Sequence, residues 1–243
     1  MLEIRDLTVE VSGKIVLKNV NLKIPDGEVH VLFGPNGSGK TTLINTILGL
    51  SGYEVVSGKI FFDGRDITNL PIDERVRLGI AVAFQRPPEV TGVKLGKILE
   101  LIEPSDEEKI LGLLSNLRFS QSFLNRDLNV GFSGGEMKKS EILQVMAQNP
   151  KLAMFDEPDS GVDIENLELI GKALKEFLKG RSGLIVTHLG YILRYIEVDR
   201  GYVLYNGRIA CYGDPLVILK QIEREGYAKC AGCLNVRREL RRP

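Results

Sequence analysis

GPNGSGKT, residues Gly34–Thr41, fits the pattern G-x-x-x-x-G-K-[ST] and lies between a short apolar run and a segment with helical spacing. The apolar run is Val29–Phe33, and the helical segment is Thr41–Leu50. Glycines let successive backbone N–H groups face one anion, and the start of a helix adds roughly half a positive charge. An ordinary glycine-rich turn capped by Thr41 is the alternative, which the strand–loop–helix context disfavours. The stretch therefore predicts a loop that holds nucleotide phosphates.

Two side chains of this loop have predicted chemical roles. Lys40, also predicted to be catalytic, is expected to reach the β- and γ-phosphate oxygens, and the Thr41 hydroxyl is expected to ligate Mg²⁺. ATP and Mg²⁺ are thus the expected cofactors. The residues of this region predicted to bind the nucleotide are Gly34, Pro35, Asn36, Gly37, Ser38, Gly39, Lys40, Thr41 and Thr42.

LAMFDEP, residues Leu152–Pro158, reads as an apolar strand that ends in two carboxylates. The chain turns at a strand end, so both acids can face one cavity. Beside a magnesium nucleotide, Asp156 is expected to hold the metal, usually through water. Glu157 is expected to orient and deprotonate the attacking water. Taken alone, acids after a strand are more often ordinary loop residues. Because the sequence also contains a phosphate loop, the catalytic interpretation is favoured here.

Two further polar residues directly follow apolar runs. His188 follows GLIVT, and a neutral imidazole there can hydrogen-bond a γ-phosphate. Gln85 follows Phe84, where its amide can reach both metal and water, so it is predicted as a metal ligand and a catalytic residue. Loop polarity is the alternative for each. Because ligands of open α/β sheets bind at the carboxyl ends of strands, these strand ends together predict one hydrolytic site. His30 lies inside a strand and is interpreted as a hydrogen-bonded core residue.

GFSGGEMKKSEILQ, residues Gly131–Gln144, enters a helix through a glycine pair, although glycine costs about 0.5–1 kcal/mol relative to alanine inside a helix. Ordinary capping by Ser133 and Glu136 is one interpretation. In the other, Ser133, Gly134 and Gly135 present a hydroxyl, N–H groups and the helix dipole to the far side of a γ-phosphate. The glycines then need no packing reason, and the phosphates can be those of another chain.

The order of predicted elements favours one α/β domain. Strands are predicted at Leu2–Val11, Val16–Ile24, Val29–Phe33, Gly58–Asp63, Ile80–Phe84, Leu152–Phe155, Gly183–Thr187, Tyr202–Tyr205 and Arg208–Tyr212. Helices are predicted at Thr41–Leu50, Ile164–Leu178, Tyr191–Ile196 and Leu216–Glu225, and through residues 93–129 with a break after which Ser105 caps a new helix. This order predicts a mainly parallel core sheet with helices, an antiparallel β flank and a helical subdomain. The domain would span 1–226, with the core at 1–92 and 150–226, a helical lobe at 93–149, and a basic tail at 227–243.

Composition narrows the functional classes. The chain has 243 residues with 32 basic and 32 acidic side chains, so no whole-chain field points to nucleic acid. Apolar runs fall short of the ~18 residues that a membrane span needs, so direct membrane insertion is not expected. Three cysteines suit a reducing compartment better than a disulfide framework, which predicts a cytoplasmic protein.

The phosphate loop, glutamine, SGGE segment, acid pair and histidine occur in an order that resembles the ABC-type ATPases over residues 1 to about 226. Within that superfamily the chain is similar to the SufC-like family, the ATPase subunits of the SUF iron–sulfur cluster assembly machinery. The stretches that carry this resemblance are GEVHVLFGPNGSGK, AFQRPPEVTGV, NVGFSGGEMKKSEILQ, DSGVD after the acid pair, and VLYNGRI.

The resemblance implies two copies that close transiently head-to-tail around two ATP molecules, each completing the other's site through Ser133, Gly134, Gly135 and Glu136. Asp163 would lie in the dimer contact. Gln85 and its loop would report to a SufB-like or SufD-like scaffold protein, which ATP would drive to rearrange. Two alternatives stay open: the ATPase subunit of a membrane importer, and a nucleotide-gated clamp that barely turns over.

Two features depart from the family pattern. Residues 11–16 lack the aromatic that usually stacks on adenine, so base recognition is expected to be weak and apolar, with Val16 involved. The tail contains Cys230 and Cys233 as a CxxC pair, which is half of a tetrahedral metal set. Loose tail thiols are favoured over a metal shared across a dimer. The tail arginines, predicted to form a solvated terminus, are Arg237, Arg238, Arg241 and Arg242.

Overall fold

A computed structural model describes residues 1–103 and 106–230. Its helices are α1 (Lys40–Leu48), α2 (Ile72–Arg77), α3 (Leu95–Ile102), α4 (Glu107–Asn116), α5 (Gly134–Gln148), α6 (Ile164–Leu178) and α7 (Pro215–Glu225). Its strands are β1 (Leu2–Val11), β2 (Lys14–Ile24), β3 (Val29–Phe33), β4 (Glu54–Phe62), β5 (Arg65–Asp66), β6 (Ile80–Ala83), β7 (Val90–Lys94), β8 (Asp127–Leu128), β9 (Leu152–Asp156), β10 (Ser182–Thr187), β11 (Arg200–Tyr205) and β12 (Arg208–Gly213).

The main sheet has six strands in the order β12-β11-β3-β10-β9-β6. All neighbouring pairs are parallel except β11 with β12, which form the hairpin predicted at Asn206-Gly207. Strands β3, β6, β9 and β10 are buried along their whole length, as expected for parallel strands that are covered on both faces. The predicted mainly parallel α/β core is therefore confirmed.

The antiparallel flank is a four-stranded sheet in the order β2-β1-β4-β5. Its strands alternate buried and exposed residues, because one face packs against α1 and the main sheet while the other faces solvent. The turn between β1 and β2 has Ser12 and Gly13 at positive φ, and β4 begins four residues before the predicted start at Gly58.

The helical lobe differs in detail from the prediction of helix through residues 93–129. Its first residues belong to β7, which pairs with the two-residue strand β8, and residues Gln121–Asn125 form a 3-10 turn. The Asp127 carboxylate holds this small sheet together by accepting from Gly92 N at 3.0 Å and Lys94 Nζ at 2.8 Å. Such pairing between distant segments leaves no helical or alternating pattern long enough to read.

Three further boundaries differ. Helix α4 is capped by the Asp106 side chain, which accepts from Lys109 N, and Ser105, the predicted cap, lies outside the described residues. The predicted short helix from Tyr191 is a 3-10 turn ending at Arg194. Residues 227–230, predicted as the start of the tail, form a helical turn whose Cys230 is fully buried in the core.

Helix α6 contains a glycine whose role is packing. A Cβ built on Gly171 would lie 2.4 Å from Tyr195 Cβ, whereas one built on the exposed Gly112 of α4 would meet nothing within 4 Å. Gly171 thus lets the 3-10 turn after β10 approach the helix backbone, and Gly112 has no such reason to be glycine.

These two helix glycines give a test with opposite signs. We expect Gly171→Ala to lower the free energy of unfolding by about 1–3 kcal/mol, because the added methyl group overpacks the contact with Tyr195. Gly112→Ala should instead raise it by about 0.5–1 kcal/mol through helix propensity alone. Urea unfolding of both variants measures this, and a stabilised Gly171→Ala protein would contradict the packing described.

Candidate active site

The phosphate loop joins the end of β3 to the start of α1, as predicted. Gly39 has φ +105° and a Cβ built on it would lie 2.8 Å from Leu17 Cδ2, so both backbone and space require glycine there. Val16, the predicted base contact, lies beside it, with its Cγ1 3.5 Å from the same Cβ position. The Ser38 hydroxyl is buried and has no hydrogen-bond partner among the described residues, which leaves a donor for a bound anion.

Lys40 folds back over the phosphate loop. Its Nζ donates to the carbonyls of Gly34 at 2.7 Å and Pro35 at 3.2 Å, and it lies 3.7 Å from Glu157 Oε1. Burial lowers the pKa of Lys40, and the negative charges of Glu157 and Asp156 oppose that shift. A triphosphate in the loop would offer this ammonium stronger anionic partners than carbonyl oxygens.

The two carboxylates that end β9 take different partners. Asp156 Oδ2 accepts from the Thr41 hydroxyl at 2.9 Å, while Asp156 Oδ1 is buried with no hydrogen-bond partner within 1–103 and 106–230. Burial is the main cause that raises the pKa of Asp156. Asp156 and Thr41, which were both predicted to hold a metal, therefore lie next to each other.

Glu157 is the point at which the predicted residues meet. It is 4% exposed, its Oε2 accepts from Gln85 Nε2 at 2.5 Å, and its Oε1 lies 3.0 Å from His188 Nδ1. Its backbone has φ +50°, a conformation that non-glycine residues rarely adopt and that is concentrated at functional sites. The structure thus brings the predicted glutamine, glutamate and histidine into one hydrogen-bonded cluster, with the predicted lysine at ion-pair distance from the glutamate.

Lys138 on α5 was not predicted as a site residue, yet it is buried beside this cluster. Its Nζ donates to the carbonyls of Phe84 at 3.4 Å, Gln85 at 3.1 Å and Asp156 at 3.3 Å. Burial lowers its pKa, against the attraction of the nearby carboxylates, first of them Asp156. Glu141, one turn later, accepts from Phe84 N at 3.4 Å. In the sequence these two residues appear only as charges on a helix that is too polar to display a clear apolar face, so their burial could not be predicted.

A second missed pair supports the histidine. The Thr187 hydroxyl lies 2.9 Å from both carboxylate oxygens of Asp159 and accepts from Leu189 N and Gly190 N at 3.1 and 2.9 Å. Burial raises the pKa of Asp159, while the bond from Thr187 opposes that rise. This pair fixes the turn on which His188 lies. In the sequence Thr187 and Asp159 look like ordinary strand and loop residues, so their contact could not be predicted.

The segment Ser133–Glu136 forms a complete capping box at the start of α5. Ser133 Oγ accepts from Glu136 N at 3.3 Å, and Glu136 Oε2 accepts from Ser133 N at 2.7 Å, so the capping interpretation holds in this state. Ser133 and Gly134 are nevertheless exposed, and they lie outside the hydrogen-bonded cluster around Glu157.

The glycine pair also has a packing role, which corrects the expectation that it needs none. A Cβ built on Gly134 would lie 2.9 Å from the Gly161 carbonyl, and one built on Gly135 would lie 2.9 Å from Asn166 Nδ2. Asp163, the predicted dimer contact, is exposed and caps α6 by accepting from Asn166 N at 2.8 Å. The predicted trans-acting segment and the predicted dimer contact are therefore adjacent on the surface.

The remaining predicted residues lie elsewhere. His30 is buried in β3 with Nε2 2.7 Å from Glu28 Oε2, and burial lowers its pKa, as for a core histidine. Cys230 is buried, so it is not a loose thiol, whereas Cys233 and the four tail arginines lie outside the described residues. Within the described residues no group of three or more histidine, cysteine or acidic side chains could hold a metal. No helix of that same part is long and apolar enough to cross a membrane.

The fold and the site together define a P-loop ATPase with a helical lobe that carries a second glycine-opened helix. The family model described as ABC transporter matches residues 17–160. The chain is 39% identical over 250 residues to a probable ABC transporter ATP-binding protein of Streptococcus pyogenes serotype M18, covering 97% of each. It is 41% identical over 246 residues to the probable ATP-dependent transporter SufC of Escherichia coli strain K12, covering 93% of this chain and 97% of the relative.

A dimeric ATP-binding cassette, solved in a post-hydrolysis state with ADP and phosphate, is similar in structure. It is 26% identical with a TM-score of 0.77, and the match covers 88% of this chain and 98% of that one. The chain belongs to the ABC transporter family of ATP-binding cassettes. It is an ABC-type ATPase that binds and hydrolyses ATP.

Proposed function

We propose that Glu157 is the base of ATP hydrolysis, with Gln85 and His188 orienting its carboxylate and the attacking water. The observation that carries this proposal is the cluster itself: one buried carboxylate within hydrogen-bond distance of both Gln85 and His188 and 3.7 Å from Lys40 Nζ. A base must lie within hydrogen-bond reach of the proton it removes, and a buried carboxylate next to the phosphate loop meets that need. Lys40 would leave its carbonyl partners for the β- and γ-phosphates.

Mg²⁺ fits the donors beside this base. Asp156 Oδ1 is buried without a hydrogen-bond partner among the described residues, and the Thr41 hydroxyl is held 2.9 Å from Asp156 Oδ2. Hard oxygen ligands such as these, completed by phosphate and water, are what Mg²⁺ takes at nucleotide sites. Thr41 and Asp156 would hold the ion together with the Gln85 side-chain oxygen, and the ion would neutralise charge developing on the γ-phosphate.

Glu157→Gln tests the base directly. The amide keeps the size and polarity of the side chain but cannot accept the proton, so turnover should fall by about 10²–10⁴-fold while ATP affinity stays within about twofold. Dimers formed on ATP should last longer. Steady-state phosphate release and nucleotide-binding titrations measure the two effects, with Glu168→Gln on the exposed face of α6 as the matched control. Hydrolysis near the parent rate would remove Glu157 from this role.

We further propose that the active form is a head-to-tail dimer in which Ser133–Glu136 of each chain contact the ATP held by the other. The similar cassette solved with ADP and phosphate is dimeric. Ser133 and Gly134 are exposed in this chain, and Asp163 lies beside them on the same surface. In its capping bond the Ser133 hydroxyl accepts from Glu136 N at 3.3 Å, so its own O–H can still donate to a phosphate.

Mixing two inactive variants tests the shared site. Lys40→Ala removes the phosphate contact and Ser133→Ala removes the hydroxyl supplied in trans, so each protein alone should have little activity. A mixed dimer has one pocket with both groups intact, and random exchange should restore about one quarter of the parent rate, since half the dimers are mixed and each has one of two sites. Phosphate release from the mixture, in the presence of its scaffold, measures this. A mixture no more active than its components would contradict the shared site.

The cellular role proposed is that of a SufC-like subunit, which drives rearrangement of a SufB/SufD-like scaffold protein during iron–sulfur cluster assembly in the cytoplasm. Support comes from the 41% identity to the relative named SufC and from the stretches around each motif. The loop after Gln85 is a suitable docking element, because Arg86, Pro88 and Glu89 are exposed and Asn129 Nδ2 holds the loop by donating to Pro88 O at 3.0 Å.

A second candidate role is the ATPase subunit of a membrane transporter. It is favoured by the names of the relatives, which are a transporter ATP-binding protein and an ATP-dependent transporter. The nucleotide chemistry is the same in both roles, so only the partner distinguishes them.

Crosslinked purification of the tagged full chain with ATP identifies that partner. A soluble scaffold protein is the expected product, and an integral membrane protein would establish the second role instead. Charge reversal in the loop, Arg86→Glu with Glu89→Lys, should lower partner capture by about tenfold with ATP binding unchanged, since charges on the rim of an interface govern encounter. Arg77→Glu, on the exposed face of α2, is the matched control. Equal partner capture by the parent chain, the loop variant and the Arg77→Glu control would place the docking surface elsewhere.

A further inference from the structure

The segment after α7 packs onto the same core as the candidate active site. Residues 227–230 form a helical turn, Cys230 is fully buried, and Tyr227 packs against the cluster that contains Phe33 and Phe155. Gly226, with φ +76°, ends α7 and redirects the chain into this turn. The turn is therefore part of the folded domain rather than of a loose tail.

Tyr227 contacts the backbone of the turn that carries His188. Its hydroxyl donates to the His188 carbonyl at 2.8 Å. Burial raises the pKa of Tyr227 to about 12. The phenol is thus neutral and able to donate throughout the working pH range.

The residue bonded by this phenol lies beside the phosphate loop. Phe33 and Thr187 are register partners at the ends of β3 and β10, and Gly34 and His188 are the next residues of each. The hydroxyl therefore bonds the residue whose imidazole contacts Glu157, and that residue lies directly beside the first residue of the phosphate loop. Lys40 bonds the same loop residue through the Gly34 carbonyl.

Two side chains hold the peptide group that follows His188: Thr187 bonds its N–H and Tyr227 bonds its carbonyl oxygen. Thr187 accepts from the amides of Leu189 and Gly190, and Gly190 lies so close to α7 that an added Cβ would be 2.7 Å from Leu219 Cδ1. Thr187 and α7 therefore support the turn through its amides and through Gly190, whereas the tyrosine hydroxyl bonds the His188 carbonyl. The direction of the imidazole depends on how that peptide is oriented.

We propose that Tyr227 is a positioning residue for ATP hydrolysis, which holds the His188 carbonyl so that the imidazole meets the Glu157 carboxylate in the geometry needed for turnover. This inference rests on the roles proposed above for Glu157 and His188. Its hydroxyl bonds the backbone carbonyl of His188, so Tyr227 acts through His188.

Tyr227→Phe removes only the hydroxyl and is the primary test, made on the full chain with its scaffold partner present. We expect kcat for ATP to fall by about tenfold with KM within about twofold, because small displacements of a catalytic group lower turnover steeply. Tyr202→Phe is the matched control, since that buried tyrosine of β11 likewise donates its hydroxyl to a backbone carbonyl, that of Lys23 in β2 at 2.9 Å. The control should have the parent rate.

A double-mutant cycle with His188→Ala separates positioning from general stability. If Tyr227 acts through His188, Tyr227→Phe should cause no further loss of kcat once the imidazole is gone. Losses that multiply in full, or a parent rate for Tyr227→Phe, would overturn the inference while leaving the role of His188 intact. A parent rate for His188→Ala itself would overturn that role and, with it, the inference.

Amide hydrogen exchange provides a readout that does not depend on turnover. In the nucleotide-free protein, Tyr227→Phe should speed exchange in peptides that cover residues 187–191, and Tyr202→Phe should not. Unchanged exchange in both variants would show that the hydroxyl does not hold this turn, and it would overturn the inference even if kcat fell.

Discussion

Four parallel strands, β3, β10, β9 and β6, end side by side at one edge of the main sheet, and each delivers a polar residue there. The phosphate loop follows β3, His188 follows β10, the acid pair ends β9, and Gln85 comes two residues after β6. Parallel neighbours place their carboxyl ends together, which is why ligands of such sheets bind at that edge. If the strand order or the direction of any one strand changed, the cluster around Glu157 could not form.

Gathering this many charges in a buried place is unfavourable unless each one finds a partner. Lys40 bonds carbonyls and approaches Glu157, Asp156 is bonded by Thr41, and Lys138 bonds three carbonyls next to them. The arrangement combines satisfied groups with a few unsatisfied ones, such as Ser38 Oγ and Asp156 Oδ1, which lack partners among the described residues. Both groups belong to the phosphate loop and the acid pair, where a magnesium nucleotide is proposed to bind, and a ligand that satisfied them would add to the stability of the fold.

The helical lobe and the loop after Gln85 are joined through α5. Lys138 and Glu141 of that helix bond the backbone of Phe84 and Gln85, and Asn129, just before the helix, bonds Pro88. The same helix begins at Ser133, in the segment proposed to reach the neighbouring nucleotide. A partner that moved the glutamine loop would therefore pull on α5, and closure of the dimer would act on the loop in return, because linkage is reciprocal.

Much of the fold could be read along the chain, since the buried strands are short apolar runs and α6 has the periodicity of an amphipathic helix over Ile164–Leu178. Helix α2 was missed because six residues are too few to display a period, and it is held by Arg75, which donates to the carbonyls of Thr46 and Ile47 at the end of α1. The strands β7 and β8 are also too short to display a period. They are stabilised by pairing with each other across more than thirty residues of chain, which the sequence does not show.

For the candidate site, too, one part could be read from the sequence and another part could not. By itself, the sequence determined the chemical groups, because the phosphate loop, the acid pair and the strand-end residues are local patterns in which spacing alone implies a function. Only the tertiary structure decided how these groups are supported: that Lys138, Asp159, Thr187 and Tyr227 hold them, and that Gly134 and Gly135 are packed against Gly161 and Asn166. Support of this kind consists of hydrogen bonds and close contacts between residues distant in sequence, and such contacts leave no periodic or compositional trace in the chain.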